Sequence, residues 1–220
     1  AKPIVPQGKE ASVSVVEPSK QQIAPILTNN SQNEAEQPQV EFLSEKMQIF
    51  FNERQASIKE VFFKDFKNYK FTIAQGFLLQ GESLGFKLLK NINNEIEFVH
   101  SDEGKKIYKR FIFSNNNYDL HLEIDVQNDS SNSLNFNPQL IVGFLGSAIN
   151  QEAERFQDFL IVDKEKITRP NLKKDSFASQ IKFVGLRDRY FCLIADPEDE
   201  SYSAFVKKIN NKESELGLQL

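Results

Sequence analysis

The clearest pattern of apolar and polar positions lies in residues 106–127. Apolar side chains recur there at every second position, and a polar run at 114–117 separates two such stretches. Alternation with a period of two indicates strands with one dry and one wet face, and Asn-rich turns tolerate the left-handed backbone of a hairpin. The pattern predicts a hairpin whose dry face carries Ile107, Phe111, Phe113, Tyr118, Leu120, Leu122, Ile124 and Val126.

Shorter apolar stretches predict further strands along the chain. They lie at 47–51, 96–99, 134–136, 140–145, 181–186 and 190–195. The last stretch is apolar throughout, which predicts a strand covered on both faces, so that replacing either Tyr190 or Phe191 with Ala strongly destabilises the fold. Two stretches, 58–66 and 152–160, fit a helix as well as a strand.

The first 40 residues differ in composition from the remainder. Five of the eight prolines lie there, with many Gln, Asn, Ser and Glu residues between them, and the first aromatic side chain is Phe42. Such a segment buries too little apolar surface to offset the ordering of its backbone. We predict a disordered, extended linker over 1–40 and a mostly β domain with few short helices over 41–220. Because Leu216, Leu218 and Leu220 alternate to the last residue, we expect this domain to be truncated at its C-terminal end.

Composition and charge narrow the function classes. The chain has 27 Lys and Arg against 31 Asp and Glu, a net charge of −4, whereas nucleic-acid binders carry a clustered basic surplus. Cys192 is the single cysteine, which excludes an internal disulfide and a cysteine-based zinc cluster. We expect it to be a buried, unreactive hydrophobe with a raised thiol pKa. Twenty Phe residues without any Trp predict that the aromatic side chains form a core.

The two histidines are the first candidates for acid–base chemistry, which needs an acid and a base that converge in a cleft. His121 falls on the wet face of the hairpin beside Glu123 and Asp125, and we predict that it is an exposed surface residue. His100 precedes the turn-like residues 101–104, and we predict that it lies in a loop. The sequence therefore predicts no catalytic residue and no bound cofactor.

Two charged clusters are candidates for ion or lipid binding. The acidic cluster around Pro197 lacks the ligand spacing and the glycine of an EF-hand loop, which predicts a solvated turn and no metal site. The basic cluster has acidic neighbours, which predicts a charged, solvated hairpin instead of a lipid or nucleic-acid patch. The acidic cluster comprises Asp196, Glu198, Asp199 and Glu200, and the basic cluster comprises Lys105, Lys106, Lys109 and Arg110.

Residues 182–191 read Lys-Phe-Val-Gly-Leu-Arg-Asp-Arg-Tyr-Phe, with Pro197 soon after. They resemble the aromatic-x-Gly-x-x-Asp-Lys/Arg-Tyr-Phe segment in the large extracytoplasmic domain of YidC-type membrane protein insertases. Phe183 stands where the family usually has Trp. This is the specific part of the resemblance.

Two other stretches resemble the same domain. The hairpin at 109–128 is similar to its middle, and residues 47–61 are similar to its entry strands, which favours a strand for 58–63. The resemblance touches most of residues 41–220, and it is weak between 71 and 94, where the chain looks short for the family.

The resemblance implies a β-supersandwich similar to the galactose mutarotase-like fold, at the periplasmic face of the bacterial inner membrane. It also implies a transmembrane helix before the linker and further membrane helices after the domain. The implied function is non-catalytic: the domain scaffolds the insertase, or contacts the Sec translocon, its accessory subunits and nascent membrane proteins. We expect the isolated domain to be a monomer.

Two other hypotheses stay open from the sequence. One is a carbohydrate-binding or mutarotase-like module, and the other is a free-standing periplasmic chaperone or carrier. No partner-binding residue is assigned, because no single surface stands out in the pattern.

Overall fold

The computed structural model describes residues 40–80, 85–102, 104–131, 133, 136–146, 157–163, 166–198, 202–211 and 213–220. Strands, all paired antiparallel, and one short 3-10 helix form the regular structure of these residues. The predicted linker at 1–40 lies outside them, apart from Val40, which opens the first strand. The mostly β fold is confirmed. No helix in the described part of the chain is long and apolar enough to cross a membrane.

The first half of the domain forms two four-stranded sheets. The first sheet consists, in spatial order, of β1 (Val40–Leu43), β2 (Met47–Asn52), β3 (Ser57–Phe63) and β4 (Tyr69–Gly76). The 3-10 helix, Lys64–Phe66, joins β3 to β4. After β5 (Leu78–Gln80), the second sheet consists of β6 (Lys87–Ile92), β7 (Glu95–Asp102), β8 (Lys105–Phe113) and β9 (Leu120–Asn128).

The second half forms two further sheets. Its strands are β10 (Gln139–Leu145), β11 (Asp158–Asp163), β12 (Lys166–Thr168), β13 (Ser176–Ala178), β14 (Ile181–Arg187), β15 (Cys192–Ala195), β16 (Ser203–Lys208) and β17 (Ser214–Gln219). The third sheet has the order β12–β11–β14–β15, and the fourth has the order β13–β16–β17–β10–β5.

Apolar side chains from all four sheets share one core. Phe42 of β1 stacks on Phe113 of β8 with 3.9 Å between ring centroids, and Phe51 of β2 lies 5.0 Å from Phe111 of β8. Strand β4 lies against β10, which joins the first sheet to the fourth. Each fully buried Phe stabilises the fold by roughly 1.5–3 kcal/mol.

Most strand predictions are confirmed. The predicted hairpin is β8 and β9, and its register pairs Phe111 with Leu122. The strands predicted at 47–51, 96–99, 140–145 and 181–186 lie within β2, β7, β10 and β14. The stretch at 58–66 resolves into strand β3 followed by the 3-10 helix.

Two of the stretches considered from the sequence are only partly described by the structure. Phe136 belongs to no strand, and residues 134 and 135 lie outside the described residues. In the stretch 152–160, residues from 158 onward belong to strand β11, and 152–156 lie outside the described residues.

The prediction of a doubly covered strand at 190–195 was wrong. Strand β15 begins only at Cys192, and its alternating exposure shows that the face carrying Cys192 and Ile194 is not covered. Tyr190 is 64% exposed, and Cys192 and Ile194 are exposed as well.

Candidate functional site

A cavity of about 1430 Å³ opens among strands of the first, second and third sheets. Its lining is mainly apolar and comes from β2, β3, β9 and β15, with further residues from the ends of β10 and β17. Pockets for drug-sized molecules measure about 300–1,000 Å³. The space here therefore exceeds what one small molecule fills.

The longest wall of the cavity is the inner face of β9. Its side chains Leu120, Leu122, Ile124 and Val126 are half-buried and pack on the core only in part. This face of β9 carries no polar side chain, because the polar residues of the strand point to its other face. The dry face predicted by alternation is therefore a cavity wall, a distinction that alternation alone does not make.

Aromatic rings close one end of the cavity. Phe63 of β3 stacks on Phe191 with 4.4 Å between centroids, and Phe66 meets Phe191 edge-on at 5.0 Å. Tyr118 lies 5.6 Å from Phe63. Phe66 and Tyr118 are exposed, so the expectation that the aromatic residues serve only the core was wrong at this end. We call Phe63, Phe66, Tyr118 and Phe191 the aromatic end.

A tight turn between β14 and β15 holds Phe191 in place. Asp188 Oδ1 accepts hydrogen bonds from the backbone N–H groups of Tyr190 and Phe191, at 2.7 and 2.8 Å. Its other oxygen accepts a 2.7 Å bond from the Tyr69 hydroxyl. Burial and this bond raise the pKa of Tyr69 above its ordinary value, so the hydroxyl stays protonated and donating at neutral pH.

The preceding residues of the same stretch also have a packing role. A Cβ atom on Gly185 of β14 would lie 3.3 Å from Cys192 Sγ and 3.4 Å from the Leu193 carbonyl oxygen. A larger residue at position 185 would therefore pack tightly against strand β15.

A small polar network supports the exposed side of the aromatic end. Asp65 accepts hydrogen bonds from Lys46 Nζ at 2.8 Å and from the Tyr118 hydroxyl at 2.7 Å. These bonds raise the pKa values of Lys46 and Tyr118 and lower the pKa of Asp65. All three groups are solvated, so the network orients Tyr118 more than it stabilises the fold.

Carboxylates stand around the mouth of the cavity. Its described lining contains Asp119, Glu123, Asp196 and Glu198, which we call the rim, and it contains no Lys or Arg. His121 lies between two rim residues, 3.5 Å from Glu123 Oε1 and 3.7 Å from Glu198 Oε1. Half of the predicted acidic cluster thus belongs to the cavity, while Asp199 and Glu200 lie outside the described residues.

Comparison with protein families gives a match to the YidC periplasmic domain over residues 82–218. The chain belongs to the YidC periplasmic domain family. The matched range includes β9, β15 and the turn at Asp188, and so most of the cavity lies within it. The resemblance drawn from residues 182–191 is confirmed. Membership implies an extracytoplasmic location and a role in an insertase, and the family is not one of enzymes.

Solved structures show the same fold in proteins of distant sequence. A galactose mutarotase-like protein from Lactobacillus casei aligns with a TM-score of 0.62 at 9% identity, over 82% of this chain and 87% of that one. A galactose mutarotase related enzyme from Lactobacillus acidophilus aligns with a TM-score of 0.53 at 10% identity, over 82% and 84%. At these identities the likeness concerns the fold alone, and the predicted supersandwich is confirmed. No curated protein matches the chain.

The fold does not bring the two histidines of this chain together. His121 is exposed at the rim, as predicted. His100 was predicted to lie in a loop, but it belongs to β7 and is buried, with Nδ1 3.1 Å from the Gly85 carbonyl oxygen. The strand extends past the predicted boundary because His100 shares the inward side of β7 with Ile96 and Phe98.

Lys109 corrects the interpretation of the basic cluster. It was predicted to be solvated, but its side chain is fully buried on the inner face of β8. Its Nζ donates to the carbonyl oxygens of Ala56, at 2.6 Å, and Phe77. Burial lowers the pKa of Lys109 from 10.5 to about 7. Ala56 and Phe77 both have positive φ. The amine of Lys109, on β8 of the second sheet, thus binds the carbonyl groups of two residues with left-handed backbone.

The other cluster members follow the prediction. Lys106 pairs with Asp129 at 2.8 Å, and Arg110 bridges Glu97 at 2.8 Å and Glu123 at 2.5 Å. These pairs lie at the outer face of the hairpin, where they contribute little to stability.

Cys192 is exposed on the edge strand, which contradicts the predicted burial. Partial desolvation beside the cavity nevertheless raises the pKa of its thiol, and the Arg187 side chain offsets this in part. The thiol therefore stays protonated at neutral pH.

Proposed function

We propose that this domain binds apolar segments of membrane proteins outside the membrane, as a non-catalytic accessory part of an insertase. The supporting observation is the β9 wall, where four aliphatic side chains remain half-exposed in a cavity of about 1430 Å³. Apolar surface left open in a concave site favours a ligand that covers it, at about 25 cal/mol per Å² buried.

The membrane and translocon contacts of the parent protein are a further part of this proposal. Family membership supports anchoring in the inner membrane through helices elsewhere in the parent chain, and contacts with the Sec translocon. A domain held at that place meets client segments before they are fully inserted or folded. Such segments are apolar, and they match the apolar lining of the cavity.

Carbohydrate binding is the second candidate, because the fold is shared with mutarotase-like proteins and the rim offers carboxylate acceptors for hydroxyl groups. The apolar side chains of the β9 wall argue against carbohydrate binding. Leu120, Leu122, Ile124 and Val126 carry no group that pairs with sugar hydroxyls, which a sugar site supplies in number.

The test is a fluorescence anisotropy titration of a labelled, uncharged ten-residue peptide that alternates Val with Ser. Leu122→Gln, on the β9 wall, is expected to weaken binding about tenfold, since it removes apolar contact and adds a buried amide. Ile112→Gln is the matched control, because Ile112 lies exposed on the outer face of the neighbouring strand.

Thermal unfolding of both variants verifies that they are folded. Equal peptide affinity in the two variants would place the binding elsewhere and overturn the proposal. Saturable binding of galactose would favour the carbohydrate candidate instead.

A further inference from the structure

The cavity is bordered by the open edges of two strands. Among the described residues, β9 pairs only with β8 and β15 pairs only with β14. The lining includes successive residues of both strands, namely 120–124 of β9 and 192–195 of β15. Successive residues of a strand point to opposite faces of the sheet. A cavity that is lined by residues from both faces therefore extends around the backbone edge of the strand.

An open strand edge presents unpaired backbone N–H and C=O groups. An extended chain can pair with them, and its alternate side chains then point to the two faces of the sheet. On β9 one of those faces is the apolar wall, and the other carries His121, Asp125 and Gln127. A helix does not use such an edge, because its backbone groups are already paired within it.

The charge at the mouth restricts the sequence of the occupant. Arg110 pairs with Glu123, whereas no Lys or Arg in the described part of the chain forms an ion pair with Asp119, Asp196 or Glu198. The described lining holds no Lys or Arg that could balance this charge. Acidic groups at the rim attract cationic residues and disfavour anionic ones.

We propose that the cavity selects extended apolar segments that carry Lys or Arg, and that they bind as an added strand along the edge of β9. This inference rests on the proposed function and names its substrate class and binding mode. Residues 120–127 of β9 offer an edge of about 27 Å at 3.4 Å per residue. The apolar side chains of the segment cover Leu122 and Ile124, and its basic ends meet the rim.

The experiment uses the 220-residue chain and three labelled ten-residue peptides that share an alternating Val-Ser core. Their ends carry Lys, Gln or Glu, so charge is the one difference among them. At low ionic strength the Lys peptide is expected to bind about tenfold more tightly than the Glu peptide, and added salt removes the difference. A fourth peptide has the Lys ends and N-methyl groups at alternate backbone nitrogens, and it is expected to bind at least about tenfold more weakly than its parent.

Two double variants locate the charge effect. Asp119→Asn with Glu198→Gln is expected to abolish the preference for Lys ends and to leave the Gln peptide unchanged. Glu45→Gln with Asp102→Asn is the matched control, since it removes the same charge from exposed residues outside the cavity, and it keeps the preference. Thermal unfolding establishes that each variant is folded.

The outcomes separate this inference from the proposed function. Equal affinity for the three end groups, or a rim variant that keeps the preference, overturns the charge selection while apolar binding stands. Full affinity of the N-methylated peptide, or a helical bound peptide by circular dichroism, overturns the strand mode. Failure of every peptide to bind overturns both the inference and the proposed function.

Discussion

The Tyr69 hydroxyl donates a 2.7 Å hydrogen bond to Asp188 Oδ2 across 119 positions of the chain. It ties the first strand residue after the 3-10 helix to the turn that leads into β15. Because Phe191 follows from the same turn and stacks on Phe63, the bond fixes the position of the aromatic end. The Asp in the family-specific stretch thus orders one end of the cavity.

Asp188→Ala is expected to destabilise the domain by about 2–4 kcal/mol, since it removes two backbone caps and the partner of Tyr69. Tyr69→Phe removes only the side-chain bond and is expected to lower stability by about 1–2 kcal/mol. Urea unfolding measures both. Asp175→Ala is the control, because Asp175 caps a single exposed N–H, that of Lys208. A loss for Asp188→Ala no larger than the control contradicts the role of the turn.

The two rings after Asp188 are expected to differ in their contribution. Phe191→Ala removes stacking on Phe63 and the contact with Tyr69, 4.8 Å away, and is expected to lower stability by about 2–3 kcal/mol. Tyr190→Ala removes a ring that is 64% exposed and is expected to lower it by less than about 1 kcal/mol. This replaces the sequence-based expectation of two large losses. Similar melting temperatures for the two variants would count against it.

Lys109 is expected to make stability depend on pH between about 7 and 10.5. In this window the unfolded state holds a proton that the folded state has lost, so stability rises with pH and falls as pH drops toward 7. The slope for one such group is at most about 1.4 kcal/mol per pH unit.

Urea unfolding at pH 7.5, 8.5 and 9.5 measures this slope. Lys109→Met is expected to flatten it, whereas Lys106→Met, at an exposed lysine paired with Asp129, is the control and keeps it. An unchanged slope in Lys109→Met shows that another group titrates. The absolute stability of Lys109→Met also reflects the loss of donors to the Ala56 and Phe77 carbonyls.

Removal of residues 1–38 is expected to leave the stability of the domain unchanged. Their composition offers few apolar side chains for a core, and the first described strand begins at Val40. The urea midpoints of the full and shortened chains measure the difference. A loss of more than about 1 kcal/mol indicates that the segment packs on the domain.

The domain is expected to show no mutarotation of aldoses at high protein concentration. His100 is buried against the Gly85 carbonyl and does not line the cavity, so it cannot pair with His121 there. Coupled polarimetry with several aldoses is the measurement, beside His100→Ala and His121→Ala. Anomer interconversion that disappears in either variant establishes an enzyme and contradicts the non-catalytic proposal.

Alternation predicted the β8–β9 hairpin because one of its faces is polar and exposed. The same alternation places Lys109 on the inward face of β8, together with Ile107 and Phe111, and Lys109 is indeed buried there. A charged residue at such a position was assigned to solvent, since the cost of burying an amine is large. Two backbone carbonyls from distant turns offset that cost, and the sequence does not reveal them.

The cavity itself was not predictable from the pattern. Leu122 in a cavity wall and Phe111 in a packed core occupy equivalent positions in paired strands. What separates them is the arrangement of the sheets, which depends on contacts between residues far apart in the chain. The sequence showed only the part of the rim that lies near Pro197. Asp119 is distant from that stretch in the chain, and the fold brings it to the same cavity.

Strand β17, made of residues 214–219, lies between β10 and β16 at the centre of the fourth sheet. During vectorial emergence from a ribosome or a translocation pore, these are the last strand residues of the described chain to appear. Until then the backbone N–H and C=O groups on the facing edges of β10 and β16 lack the strand that pairs with them. The fourth sheet therefore cannot close until residues 214–219 have emerged, so the nascent domain passes through a stage in which it needs protection from aggregation.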